Sequence, residues 1–171
     1  LISNATFIAR SFAGNPKQVK ELLKAAFSHN GIAVLDIISP CVTFNNHHTA
    51  YHSYTYGKEH ETPLHDITYI PPRNEIILER ELEEGEVREV AMHDGSTIVI
   101  KNLEKEHDPT NRAEAMRILD EARINNWLVT GLIYVNTEKP SLVETCDLVD
   151  TPLNRLTDAD LRPFPEMIDK V

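Results

Sequence analysis

The chain has 171 residues, 41% of them hydrophobic, and a formal net charge of −10, enough for one core of ordinary size and too short for a second complete domain. The acidic balance argues against nucleic acid as a partner, because displacing counterions from phosphates needs clustered Lys and Arg. No apolar run reaches the roughly 20 residues that span a bilayer, and "LISNATFIAR" lacks a charged segment leading into a long apolar one, so a soluble, cytoplasmic protein is expected.

Two cysteines, Cys41 and Cys146, lie far apart in the chain; they make no disulfide framework and read as free thiols. Residues 5–9 read as a short apolar strand that begins almost at residue 1, as if the chain continued a fold begun elsewhere. "AGNP" then supplies a turn, a cap at Asn15 and Pro16 at the first helical position. Val19, Leu22, Leu23, Ala26 and Phe27 follow at i, i+3, i+4, i+7, i+8, a stripe to be buried against a sheet while Lys17, Lys20 and Lys24 face solvent. Gly31 suits a left-handed cap. Ile32 to Ile38 is almost continuously apolar, as expected of a parallel strand covered on both faces. These pieces make one β-α-β unit, whose second strand ends at Ser39 to Cys41, the edge where open α/β sheets bind ligands.

Between residues 42 and 75 the periodicity breaks. His47, His48, His52, His60 and His65 alternate with tyrosines, and the length suggests an excursion that covers something. His48 and His52 could share a helix face, but no Cys-x-x-Cys or His-Glu-x-x-His accompanies them, so surface and packing roles are expected over a zinc site. An acidic run from Glu79 leads into "EVREVAMHDGSTIVIK", a β-hairpin around Asp94-Gly95. Asp108 or Thr110 should cap a helix with Ala115, Ile118, Leu119 and Ala122 on one face, and 130–135 is a further strand. The proline-rich tail from Lys139 shows no sustained period. It is expected to be extended, with one short helical turn near Asp158.

No glycine-rich phosphate loop and no G-x-S-x-G occurs. Lys17 sits in the first turn of a helix, where a cation opposes the dipole, a placement suited to an anion bound there or to a solvated lysine. Cys41 is open to three readings from residue chemistry: nucleophile, thiolate metal ligand, or plain buried thiol, with the last favoured.

The run "ATFIARSFAGNPKQVKELLKAAFSHNGIAVLDIISPCVTFNN", and the later phrases "MHDGS", "HDPTNRAEAM", "TGLIYV" and "DTPLNRL", resemble the C-terminal part of the β subunit of 2-oxoacid:ferredoxin oxidoreductases, the 2-oxoglutarate type in particular. The resemblance implies a three-layer α/β fold. Residues 1–41 would end a thiamine-diphosphate-binding domain, and residues 42–171 would form a C-terminal region with an added β-hairpin and an extended tail. It implies CoA-dependent oxidative decarboxylation of a 2-oxoacid, with electrons passing through a [4Fe-4S] cluster to ferredoxin. The cysteine of "SPCVTFN" is the fourth cluster ligand in that family, which would make Cys41 a cluster ligand. The lysine of the "GDPK" phrase would make Lys17 a coenzyme A contact, although Asn15 stands where Asp is usual. The family's "CPGCG" cysteines and the "GDGD" motif that holds Mg2+ and thiamine diphosphate do not occur here. The resemblance therefore implies activity only together with an N-terminal half of the β subunit and an α (or fused γ/α) subunit. A non-catalytic accessory or assembly module of the same fold is the alternative, and Cys146 has no counterpart.

Overall fold

A computed structural model describes residues 1–72, 87–103 and 106–162, in two compact units that divide after Ser141. The acidic run from Glu79 lies outside the described residues up to Val87, as does the end of the tail after Arg162. Among the described residues no helix is long and apolar enough to cross a membrane.

The first unit is a mixed α/β fold. Strand β1 (Phe7–Phe12), helix α1 (Pro16–Ser28) and strand β2 (Ala33–Ile38) form the expected β-α-β unit, with β1 and β2 parallel and in register from Phe7 opposite Ala33 to Phe12 opposite Ile38. The excursion is more ordered than its composition suggests, containing helix α2 (Tyr54–His60), strand β3 (Glu61–Pro63) and strand β4 (His65–Ile70). Strands β5 (Val87–Ala91) and β6 (Thr97–Asn102) are the arms of the expected hairpin. Helix α3 (Arg112–Asn125) and the fully buried strand β7 (Leu128–Val135) complete the unit.

One sheet has the order β2-β1-β7-β3, with β7 antiparallel to β1 and parallel to β3; a second, antiparallel sheet has the order β4-β6-β5. Each face of the first sheet carries a core. On one, Phe7, Ala9, Leu132 and Val135 meet Leu22 and Ala25 of α1 and the apolar residues Ile67, Val90, Ile98 and Ile100 of the second sheet. On the other, Ile8, Val129, Ile133 and Tyr134 meet Ala115, Ile118 and Ala122 of α3. Strict alternation would put Leu132 and Val135 on opposite faces. A register shift opposite Ile8/Ala9 adds one residue to β7, so Ile133 and Tyr134 both turn toward α3.

Local chemistry accounts for the ends of these elements. Asn15 Oδ1 accepts from Gln18 N at 3.3 Å to cap α1, with Pro16 at N1. The hairpin loop has Gly95 at φ 81°, and Asp94 Oδ1 accepts from Ser96 N at 2.9 Å. Asn111, rather than Asp108 or Thr110, caps α3 by accepting from Ala113 N and Glu114 N, while Asp108 Oδ1 accepts from Thr110 N at 2.9 Å in the turn before it.

Three further expectations are corrected. Gly31 is not in the left-handed region, and α1 ends at an extended His29. Glycine is required at 31 because a Cβ there would collide with the Thr6 hydroxyl and the His29 ring. The buried stripe of α1 runs through Gln18, Leu22 and Ala25, so Leu23 and Phe27 (87% exposed) turn outward. Strand β2 is an edge strand with Val34 and Ile37 exposed, as is Ile32 just before it, so the apolar run marks surfaces bare in this chain rather than a strand already covered on both faces.

The second unit begins at Leu142. Where one helical turn in an extended tail was expected, its described residues hold three short pieces: α4 (Leu142–Thr145), a 3-10 turn at Leu153–Arg155 and α5 (Asp158–Leu161). The turn expected near Asp158 is α5, started by a capping box between Thr157 and Asp160.

Candidate functional site

The parallel strands β1 and β2 finish at the same end of the sheet, where Ala13 N donates to Ile38 O at 2.9 Å. The N-terminus of α1 and the turn carrying Cys41 therefore leave the sheet side by side. Lys17 is exposed in the first turn of α1. Pro40 is buried and anchors the next turn, which Asn45 N closes by donating to Cys41 O at 2.8 Å. Past Pro40 the chain is bare: Cys41 is exposed, with Val42 at 70% and Phe44 at 84% exposure. The plain buried thiol that residue chemistry favoured is thus not what the fold builds.

Helix α2 flanks this turn. Its amide at Tyr54 donates to Asn46 Oδ1 and its Ser53 cap accepts from Tyr56 N, both at 3.1 Å. Gly57 lets α2 lie directly on Phe12 at the end of β1, because a Cβ at 57 would enter the Phe12 ring. Phe12 and Tyr54 meet edge to face at 5.7 Å. His48 and His52 precede α2 and share no helix face. His52, at φ 63°, has its pKa lowered by partial burial and then by Arg10, which is paired with Asp36 at 2.8 Å.

Beside the same edge, α1 and β2 enclose an apolar groove of about 510 Å³ lined by Ala13, Pro16, Val19, Leu23, Phe27 and Ile37, with Lys20 and Lys24 also in its wall. A bare groove, an open strand edge and an exposed thiol meet at the end of the sheet predicted to bind ligands.

A buried polar chain lies behind this edge. Ser11 Oγ donates to Gln18 Oε1 at 2.8 Å, Gln18 Nε2 donates to Thr130 Oγ1 at 3.4 Å, and Thr130 Oγ1 donates to Glu61 Oε1 at 2.8 Å. Sequence reading missed it because partners bonded to each other in it lie up to 112 positions apart. The one local signal is Gln18, a polar residue on the buried line of α1.

His65 and His107, the latter unremarked in the sequence, form a second buried polar group. Their rings stack at 5.8 Å, and each sets Nε2 2.9 Å from a β7 carbonyl, of Leu132 and Ile133 respectively. Gly131, at φ +117°, brings β7 against the His65 ring, where an added Cβ would lie 3.2 Å away. Burial, helped by the neighbouring His107, pushes the His65 pKa down to about 4, and burial likewise lowers that of His107. These imidazoles are neutral struts of the core rather than parts of the exposed edge.

The donors present do not make up an iron–sulfur site by themselves. Among the described residues no three or more His, Cys, Asp or Glu side chains are grouped to hold a metal ion, and Cys146 belongs to the other unit. Four thiolates are the usual set for a [4Fe-4S] cluster, and the chain has two cysteines in all. The described residues likewise offer no acidic cluster for the Mg2+ of thiamine diphosphate.

Comparison with known proteins points the same way as the residues. Residues 98–150 match the family described as the C terminal of the pyruvate ferredoxin oxidoreductase beta subunit. The β subunit of a 2-oxoacid:ferredoxin oxidoreductase from Saccharolobus solfataricus is 45% identical over 47 residues, which is 28% of this chain and 15% of that protein. The β subunit of 2-oxoacid:ferredoxin oxidoreductase 1 from Aeropyrum pernix is 38% identical over 77 residues, 44% of this chain and 24% of that protein. Each match thus spans less than a quarter of the relative's length. A solved 2-oxoglutarate:ferredoxin oxidoreductase from Magnetococcus marinus, with 2-oxoglutarate, coenzyme A and succinyl-CoA bound, shares the fold at a TM-score of 0.50 and 21% identity, over 92% of this chain and 41% of that one. Over these segments the chain is similar to the β subunits of 2-oxoacid:ferredoxin oxidoreductases.

Proposed function

We propose that this chain acts as part of the β subunit of a 2-oxoacid:ferredoxin oxidoreductase and contributes Cys41 as one ligand of a [4Fe-4S] cluster whose other ligands lie outside it. The observation that carries this reading is the setting of Cys41. Its thiol is exposed on a short turn at the carboxyl end of a parallel strand, among apolar residues left bare, in a chain that cannot complete a cluster alone. A thiolate at such a place can meet a cofactor held by another segment, and Val42 and Phe44 would shield it from water, which helps set a cluster's potential.

The open edge of β2 and the groove beside α1 agree with a chain that works inside a larger assembly, since a flat apolar edge invites further pairing. In this reading residues 1–41 close a thiamine-diphosphate-binding domain and residues 42–171 form the C-terminal region. The reaction is CoA-dependent oxidation of a 2-oxoacid, with 2-oxoglutarate favoured and ferredoxin as electron acceptor. Thiamine diphosphate supplies the carbanion chemistry when bound. Lys17, exposed at the amino end of α1, offers a positive charge to a coenzyme A phosphate where backbone N–H groups also favour an anion.

The test is reconstitution. This chain, produced together with the rest of the β subunit and the α subunit, should give 2-oxoacid- and CoA-dependent ferredoxin reduction. A complex that assembles with its cluster and stays inert toward 2-oxoglutarate, pyruvate and other 2-oxoacids would favour the accessory-module alternative.

A further inference from the structure

A second concavity lies within the first unit, between α2 and the carboxyl end of α3, and no role above involves it. It is an open cleft of about 630 Å³ whose lining includes Tyr51, Tyr56, Glu59, Glu61 and Trp127. Three features set its chemistry. Aromatic faces come first: Tyr51 and Tyr56 lie 4.9 Å apart, and Tyr56 stacks on His60 at 3.9 Å with the rings 5° from parallel. The second is a fixed carboxylate. Glu61 Oε1 is held at 2.8 Å by the hydroxyl of Thr130, itself fully buried and joined through Gln18 to Ser11, so the acid is oriented by the core. Glu59 adds a second carboxylate on the same rim. Third, Asn125 and the left-handed Asn126 at the end of α3 line the wall, so the cleft is beside the negative end of a 14-residue helix.

All three features favour positive charge; the described lining residues include neither Lys nor Arg, and the basic side chain among them, His60, is stacked on Tyr56. Glu61 forms no ion pair among the described residues. A carboxylate oriented from behind pairs best with a donor fork, and a tyrosine face attracts a flat, weakly hydrated cation. We propose that this cleft binds an organic cation, a guanidinium or alkylammonium group, held against the tyrosine pair Tyr51 and Tyr56 and paired with Glu61 and Glu59. The proposal rests on this cleft alone and not on the role assigned to Cys41. The cation could be carried by a basic side chain of a neighbouring polypeptide or by a free small amine.

Trp127 is the one tryptophan of the chain and lines the cleft, so its fluorescence reports occupancy. The 171-residue chain is titrated at low ionic strength with agmatine, with N-acetyl-arginine methylamide and with uncharged n-butylurea. Both cations should change the emission saturably, n-butylurea should not, and Glu61→Gln should weaken cation binding by about tenfold, the equivalent of about 1.4 kcal/mol. Glu59 is exposed and outside the buried chain, so Glu59→Gln leaves folding intact and should weaken binding severalfold. Tighter binding of the capped arginine would assign the site to a side chain of a neighbouring polypeptide, and tighter binding of agmatine to a free amine. The proposal is overturned by the absence of a saturable response to either cation, by an equal response to n-butylurea, or by unchanged affinities in both glutamine variants.

Discussion

Acid should weaken this fold through His65, by an amount that can be worked from its surroundings. The ring is 1% exposed, sits between the Leu132 backbone and His107, and has a pKa of about 4 against an ordinary 6.5. Its folded-state pKa is lowered, so between pH 6.5 and 4 the unfolded chain binds a proton that the folded chain refuses. Stability is then fully present above pH 6.5 and is lost as pH falls toward 4. The separation from 6.5 to about 4, at about 1.4 kcal/mol per pH unit, amounts to about 3 kcal/mol. That is a large part of the roughly 5–15 kcal/mol typical of a domain. His65→Gln removes the titration while keeping an amide able to reach the Leu132 carbonyl. Urea denaturation of both proteins, at pH values from about 7.5 to about 4, should show the native protein losing about 3 kcal/mol more than the variant. His29 and His107, also lowered by burial, stay in both proteins and cancel to first order. Parallel pH dependences in the two proteins would refute the reasoning.

Other substitutions test other joints of the structure. Gly57→Ala forces a methyl into the Phe12 ring under α2 and should cost about 1–3 kcal/mol by urea denaturation, with faster proteolysis near residues 41–60. Asn111→Ala removes an N-cap that accepts from two amides; it should cost about 1 kcal/mol, and Asn111→Asp should restore most of that. In the proposed assembly, Lys17→Ala should raise KM for coenzyme A several-fold and leave KM for the 2-oxoacid nearly unchanged; equal changes in both would refute the proposed coenzyme A contact of Lys17.

The elements with local causes were legible in the sequence. Asn15-Pro16 marked the start of α1, Asp94-Gly95 marked the hairpin, and the apolar run before Cys41 marked a parallel strand, because each depends on residues within a few positions. Which faces are covered was not legible. The stripe of α1 mixed two neighbouring helix faces, and only tertiary packing shows that Gln18, Leu22 and Ala25 face the core while Leu23 and Phe27 border the groove. The histidine-rich excursion hid β4 because His65 replaces an apolar residue on the buried face of that strand, at the price of a low pKa. For the candidate site, the placement of Cys41 at the end of β2 could be read directly. Its exposure could not be, because that depends on what packs past Pro40.

The proposed role turns on Cys41, and iron, acid-labile sulfide and the low-temperature electron paramagnetic resonance spectrum of the assembled, dithionite-reduced enzyme test it most directly. Cys41→Ala should lose the [4Fe-4S] signal supported by this chain and abolish ferredoxin reduction, while Cys146→Ala retains both. An unchanged cluster spectrum and normal electron transfer in Cys41→Ala would contradict the assignment.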